Sequence, residues 1–241
     1  MALDLSIIAD NAGLFARGAV ATVYISLAAI AAGLLIAFPV ALLRLSPRRV
    51  MSWPAMAYVE LFRNIPFIVM LSLFFYGLPF FGLRLQPMTT GIVALALFGS
   101  AYFAEIVRGA ILSVPRGQME SARAIGMSYL RALREIIFPQ MLRFFIPAAT
   151  NTSISLVKES AVLATLSVTE LTYQGLIVQG QTYAPFEVFL ATAAIYWGLT
   201  ALLAAGFRAS ERRLGGQGRR GFSSRHRLAA RYLSLEPEPR S

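Results

Sequence analysis

The sequence predicts an all-α membrane protein of about five transmembrane helices, with a pair of short cytoplasmic helices inserted between the third and fourth. Three observations point to this. Hydrophobic residues make up 57% of the 241 residues and charged residues only 14%, against about 25% charged in ordinary soluble domains. Five stretches approach the 20 or so apolar residues that carry a helix across about 30 Å of hydrocarbon. The arginines are also distributed unevenly between the connecting segments.

The spans read as Val20 to Leu43, Met56 to Phe81, Gly91 to Leu112, Phe144 to Leu166 and Phe186 to Phe207. Arg44, Arg48 and Arg49 follow the first. Arg116, Arg123, Arg131, Arg134 and Arg143 follow the third, and nine arginines from Arg208 to Arg240 follow the fifth. The opposite side has only Arg17 and Arg84, and Thr169 to Pro185 has neither Lys nor Arg. The positive-inside rule therefore predicts an outside N-terminus and a cytoplasmic C-terminus, and an odd number of spans agrees. The expected division is a periplasmic segment over 1–17, a transmembrane domain over 18–210 with a loop at 113–141, and a basic tail over 211–241. Topology and attraction to an anionic leaflet account for the formal charge of +10, so no nucleic-acid partner is invoked. The N-terminus has Asp4 and Asp10 but no early Lys or Arg, unlike a cleavable signal peptide.

Composition also limits the chemistry. There is no cysteine, and the one histidine, His226, lies in the arginine-rich tail. Neither a metal centre nor a nucleophile with its base is expected, so the chain is not expected to be an enzyme. A phosphate-cradling loop needs Gly-x-x-x-x-Gly-Lys-Ser/Thr. The only lysine, Lys158, lies inside a span, and Gly215-Gly216-Gln217-Gly218 has none. No cofactor is therefore expected in this chain.

The loop from Ser113 to Met141 reads as two short helices. Met119, Ala122 and Ile125 fall on one face of the first, roughly Gln118 to Ile125. Gly126 is suited to the left-handed conformation that ends it. Ser128 is placed to cap a second helix, Tyr129 to Phe138, with an apolar stripe of Leu130, Leu133, Ile136 and Ile137. Pro139 is expected to stop this helix. Such stripes are buried on the chain's own spans, in the membrane interface, or in a partner's groove.

Glu120-Ser121-Ala122, three residues, Gly126, nine residues, Ile136, one residue and Phe138-Pro139 resemble the EAA motif of ABC importer permeases. The family pattern is Glu-Ala-Ala, three residues, Gly, nine residues, Ile, one residue and Leu-Pro, so Ser121 and Phe138 are departures. The run Tyr58 to Pro66, with Phe75 to Pro79, resembles the second-span signature of the polar amino acid branch. Ala101 to Ala110, with Val114 to Gln118, resembles its third-span signature. The resemblance covers about residues 18 to 210 and implies the type I importer permease fold. It further implies docking on a cytoplasmic ABC ATPase that binds ATP, through Gly117, Glu120, Ser121, Ala122, Gly126 and Pro139. It also implies a periplasmic or lipid-anchored solute-binding protein and a location in the bacterial inner membrane. Five helices are few to enclose a solute path, so a second permease subunit, identical or related, is expected to supply the other wall.

Ionisable residues at membrane depth each need a reason. Glu60 and Arg63, and likewise Glu105 and Arg108, are three apart and spaced to pair along a helix. Asn151, Ser155 and Glu159 recur every fourth residue with Thr152 and Lys158 beside them, and this stripe must avoid lipid. Lys158 and Glu159 lie about 100° apart on a helix and offer one group of each sign to a zwitterionic solute. Asn151, Ser155, Lys158, Glu159, Glu60 and Arg63 are therefore the candidate solute-path residues, with subunit-interface and structural roles left open. The family has Lys-Asp-Thr/Ser-Ser-Leu near Lys158, where this chain has Glu159-Ser160-Ala161-Val162. Thr169 to Pro185 is expected to form a short outer helix or a simple connection. The expected function is the transmembrane subunit of an importer for polar amino acids or similar zwitterions. An ion-gradient-driven secondary transporter is the alternative, although no inverted repeat is visible.

Overall fold

The structure, a computed structural model, describes residues 4–215, so most of the basic tail lies outside the described residues. The order is α1 (Ser6–Asp10), α2 (Ala12–Arg44), α3 (Arg49–Asn64), α4 (Phe67–Gly77), α5 (Pro87–Leu112), α6 (Arg116–Ala124), α7 (Tyr129–Ala132), α8 (Phe138–Glu159), α9 (Leu171–Thr182) and α10 (Pro185–Gly215). Short 3-10 segments follow α4 and α8, at Leu78–Phe81 and Ser160–Leu166. Three helices are long and apolar enough to span by themselves: Ala12–Arg44, Pro87–Leu112 and Pro185–Phe207. Two bent pairs bring the number to as many as five.

The expected second span is not one helix. It breaks between α3 and α4, and Arg49–Asn64 meets Phe67–Phe81 at 107°. Pro66 is the cause. Its ring disfavours helical geometry in the preceding residue and it has no N–H to donate. Ile65 is accordingly extended at φ −96°, ψ 131°.

A second correction concerns Pro139, which does not stop the helix that begins at Tyr129. The helix continues through a π-helical turn, Leu133–Ile137, directly into α8. A proline ring in an α-helix collides with the carbonyl four residues earlier, and a wider turn at that point relieves the clash. The presumed fourth span thus runs helically from Tyr129 to Leu166 and meets α9 at 50°. The connection from Thr169 to Pro185 does form a helix, α9.

At the centre α2 packs along α5 through small residues. Ala29, Ala37 and Ala41 of α2 and Ala94, Ala101 and Ala104 of α5 are buried. A Cβ on Gly33 would lie 3.1 Å from the Ala96 carbonyl oxygen and 3.3 Å from the Ser100 nitrogen. Hydrocarbon solvent offers no hydrophobic drive between spans, so this close backbone approach supplies the attraction. Tyr58 of α3 is tied to α5, its hydroxyl 2.6 Å from Ser100 Oγ.

A buried polar knot ties α9 to α2 and α10. Glu170 is fully buried and caps α9, accepting the N–H groups of Thr172 and Tyr173 at 3.0 and 2.8 Å. The Tyr196 hydroxyl of α10 donates to it at 2.6 Å and that of Thr22 at 3.5 Å. Thr22 also accepts the Leu171 N–H at 3.1 Å. These donors, none of them a cation, satisfy the oxygens of the buried carboxyl group.

Candidate functional site

The break between α3 and α4 opens a depression of about 490 Å³, lined by Arg63, Asn64, Pro66, Phe98, Tyr102 and Glu159 among others. Pro66 sets its position by breaking the helix at Ile65, while α3 and α4 both stay packed against α5. Arg63 ends α3 with its guanidinium carbon 5.3 Å from the centre of the Tyr102 ring, within the range of cation–π attraction. The Tyr102 hydroxyl in turn donates to the Arg63 carbonyl at 3.4 Å. Phe67, Phe98 and Tyr102 form a row of rings with centroids 5.2 and 4.9 Å apart. The walls therefore present a cation, a carboxylate, an amide and an aromatic face within one hollow. A small zwitterion has a group for each of them.

The structure divides the expected solute-path residues. Arg63 and Glu159 come together at the depression. Lys158, Asn151 and Ser155 are exposed along α8, and none of them lines the depression. Ser155 donates to the Asn151 carbonyl at 3.1 Å. The partner of opposite sign for Glu159 across the hollow is thus Arg63 and not Lys158. Glu60 is exposed, and among the described residues it forms no ion pair with Arg63. Arg63 is turned to Tyr102 instead. Asn64, Phe98 and Tyr102 were missed as site residues by sequence reasoning. Two of them, Asn64 and Tyr102, lie inside the motif runs, but only the bend at Pro66 brings them together.

Glu105 and Arg108 do pair, with Arg108 Nε 3.2 Å from both carboxylate oxygens. Arg44 from the last turn of α2 also bonds Glu105. One carboxylate thus clamps α2 to α5 at the arginine-bearing end.

The loop has a firm internal architecture. Gly126 has φ +86°. Its N–H reaches the Arg123 carbonyl at 3.0 Å, and the Met127 N–H reaches that of Ala122 at 3.1 Å. These two bonds are the Schellman closure of a helix by a left-handed residue. Ser128 caps the next helix by accepting the Arg131 N–H at 3.4 Å. Gln140 Nε2 donates to Gln118 Oε1 at 3.1 Å and ties α8 to α6.

The apolar stripes of the loop split by face. Ala122, Ala132 and Ile137 are buried, Ile137 within the main apolar core, whereas Ile125 and Leu130 are 80% and 73% exposed. Gly117, Glu120, Ser121 and Pro139 are exposed as well. Ala122, also expected at the docking contact, is buried within the loop.

Residues 21–216 match the family described as the binding-protein-dependent transport system inner membrane component. The chain belongs to this family. It is a multi-pass membrane protein and a permease subunit. The probable glutamine ABC transporter permease protein GlnM of Bacillus subtilis (strain 168) is 37% identical over 212 residues, covering 88% of this chain and 98% of the relative. The glutamine transport system permease protein GlnP of Escherichia coli (strain K12) is 32% identical over 216 residues, with 89% and 99% covered. Among solved structures, an amino acid ABC transporter with histidines superposes with a TM-score of 0.82 at 35% identity, covering 88% of this permease and all of that chain. The inward-facing MetNI methionine ABC transporter superposes with a TM-score of 0.73 at 24% identity, which establishes likeness of fold.

Proposed function

We propose that this permease admits a polar amino acid or similar zwitterion along a path that passes the α3–α4 break. Arg63 holds the carboxylate of the solute and Glu159 its ammonium group, while Tyr102 and Asn64 fix its orientation. The hollow with one group of each sign is the observation that carries this assignment. The similar transporters described above are named as transporters of amino acids, which supports the same solute class. The exposed polar face of Asn151, Ser155 and Lys158 meets a second permease subunit or the water between the two subunits, since lipid contact there is costly. ATP is bound and hydrolysed by a separate cytoplasmic ATPase, and a solute-binding protein delivers to the outer face.

The loop α6–α7 receives the ATPase. Glu120, Gly117 and Ser121 stand on its exposed side, with Ile125 as an apolar anchor. This orientation sets the C-terminus in the cytoplasm and the N-terminus outside, as the arginine distribution requires. The experiment is a pull-down from detergent-solubilised membranes with the unaltered chain and with Glu120→Arg. A Walker-type ATPase recovered with the first and lost with the second is the expected result. Equal recovery with both places the contact elsewhere. Recovery of the chain alone, active on an ion gradient without ATP, refutes the assignment.

A further inference from the structure

We propose that the arginine-bearing end of the molecule carries a groove for one anionic phospholipid. Two apolar hollows lie side by side where the last turns of α2 meet α7 and α8. One, of about 300 Å³, is lined by Phe38, Ile111, Phe138 and Met141 among others. The other, of about 490 Å³, is lined by Pro39, Leu43, Pro47 and Met51 among others. Leu42, Leu130 and Leu133 belong to both and form the ridge between them. Leu42 and Leu130 are 40% and 73% exposed, so the ridge faces outward.

Charge around these apolar walls is of one sign. Arg134 lines the first hollow. Arg48 and Arg49 stand in the chain between Pro47 and Met51, which line the second. All three arginines are exposed, and none is in an ion pair among the described residues. The neighbouring carboxylates are already engaged, Glu135 by Arg131 and Glu105 by Arg44 and Arg108. Three free guanidiniums bordering two hydrocarbon-lined slots complement a ligand with an anionic phosphate and apolar chains.

Depth agrees with such a ligand. The 33 residues of α2 measure about 50 Å, beyond the roughly 30 Å of hydrocarbon, so its last turns reach the headgroup level. Val50 and Trp53, 87% and 65% exposed, continue the apolar surface next to Arg48 and Arg49. Tryptophan with arginine at one level is the pattern of a membrane interface. The acyl chains lie on either side of the Leu42–Leu130 ridge, and the phosphate sits among Arg48, Arg49 and Arg134. A lipid so placed braces the end of α2 against the loop α6–α7. The site does not depend on which solute is carried.

Trp53 and Trp197 are the only tryptophans, which permits a direct test. The complete importer, carrying Trp197→Phe so that Trp53 alone reports for this chain, is placed in phosphatidylcholine vesicles. Equal mole fractions of brominated phosphatidylglycerol or brominated phosphatidylcholine are added, with the background from the other subunits subtracted. Preferential quenching by the phosphatidylglycerol is expected, with a relative association constant on the order of tenfold. The triple variant Arg48→Gln, Arg49→Gln, Arg134→Gln brings the ratio to one, while quenching by brominated phosphatidylcholine persists and shows that the protein is inserted. Leu42→Phe narrows both hollows and lowers the preference without changing charge. Equal quenching by both lipids in the unaltered importer overturns the proposal, whether through lack of selectivity or because a subunit covers the groove. A preference that survives Leu42→Phe overturns the seated chains and leaves surface attraction only. The vesicles have the same lipid in both leaflets, so a wrong assignment of inside and outside would not alter these outcomes.

Discussion

Replacing Gly126 by alanine isolates a single conformational cost in the loop that is proposed to receive the ATPase. Gly126 is left-handed at φ +86°, and a Cβ built there meets nothing within 4 Å. The penalty is therefore confined to the backbone, where an L-residue in this conformation costs about 1–2 kcal/mol. Because the helices it joins are pinned by their own contacts, Ala122 from one side and Ala132 and Ile137 from the other, the cost falls on the closure between them. If the loop escapes to another arrangement, the competent fraction drops and apparent ATPase affinity weakens by up to about 5- to 30-fold. The spans are untouched, so the thermal midpoint of the membrane domain should barely move. The assay titrates the purified ATPase against the permease in lipid nanodiscs and reads solute-stimulated ATP hydrolysis. Gly126→Asn is the control, since asparagine tolerates the left-handed region better than other residues. Affinity should rank Gly, then Asn, then Ala, with valine at or below alanine. Alanine binding as tightly as glycine, or asparagine binding worse than alanine, would refute the conformational account.

Two further substitutions test other parts of the structure. Glu170→Ala removes the cap of α9 and leaves the Tyr196 hydroxyl and two backbone N–H groups without their acceptor. A loss of about 2–4 kcal/mol is expected from the lost cap and the orphaned buried donors, read as a lowered thermal midpoint in detergent. At the hollow, Arg63→Gln and Glu159→Gln should each raise the KM for uptake about 10- to 100-fold, the worth of a charge-assisted hydrogen bond. Lys158→Met should change it much less. A larger effect at Lys158 than at Arg63 would return the solute contact to the exposed face of α8.

What could be read in the chain followed from local rules. Apolar length marked the spans, and arginine counts separated their two ends. Gly126 and Ser128 announced the loop closure, because a left-handed terminus and a helix cap are decisions made within six residues. The twenty-residue spacing around Gly126 carries the family signature by itself.

The remaining features depended on neighbours far along the chain. Pro66 signalled a kink, but the full turn and the hollow beside it depend on how α4 packs against α5. Pro139 carried the same local signal as Pro66, yet there the helix continued by widening into a π turn. The helical wheel put Lys158 and Glu159 on adjacent faces equally open to solute. Only packing placed Glu159 on the same hollow as Arg63, 96 residues earlier in sequence. Glu170 looked like an ordinary acidic residue of an outer connection, and its burial required α2 and α10 to close over it. Sequence alone determined the solvent and the family, since these rest on composition and short spacing. Tertiary structure alone decided which charged groups share a cavity, because that depends on helix bends and crossings that no local pattern records.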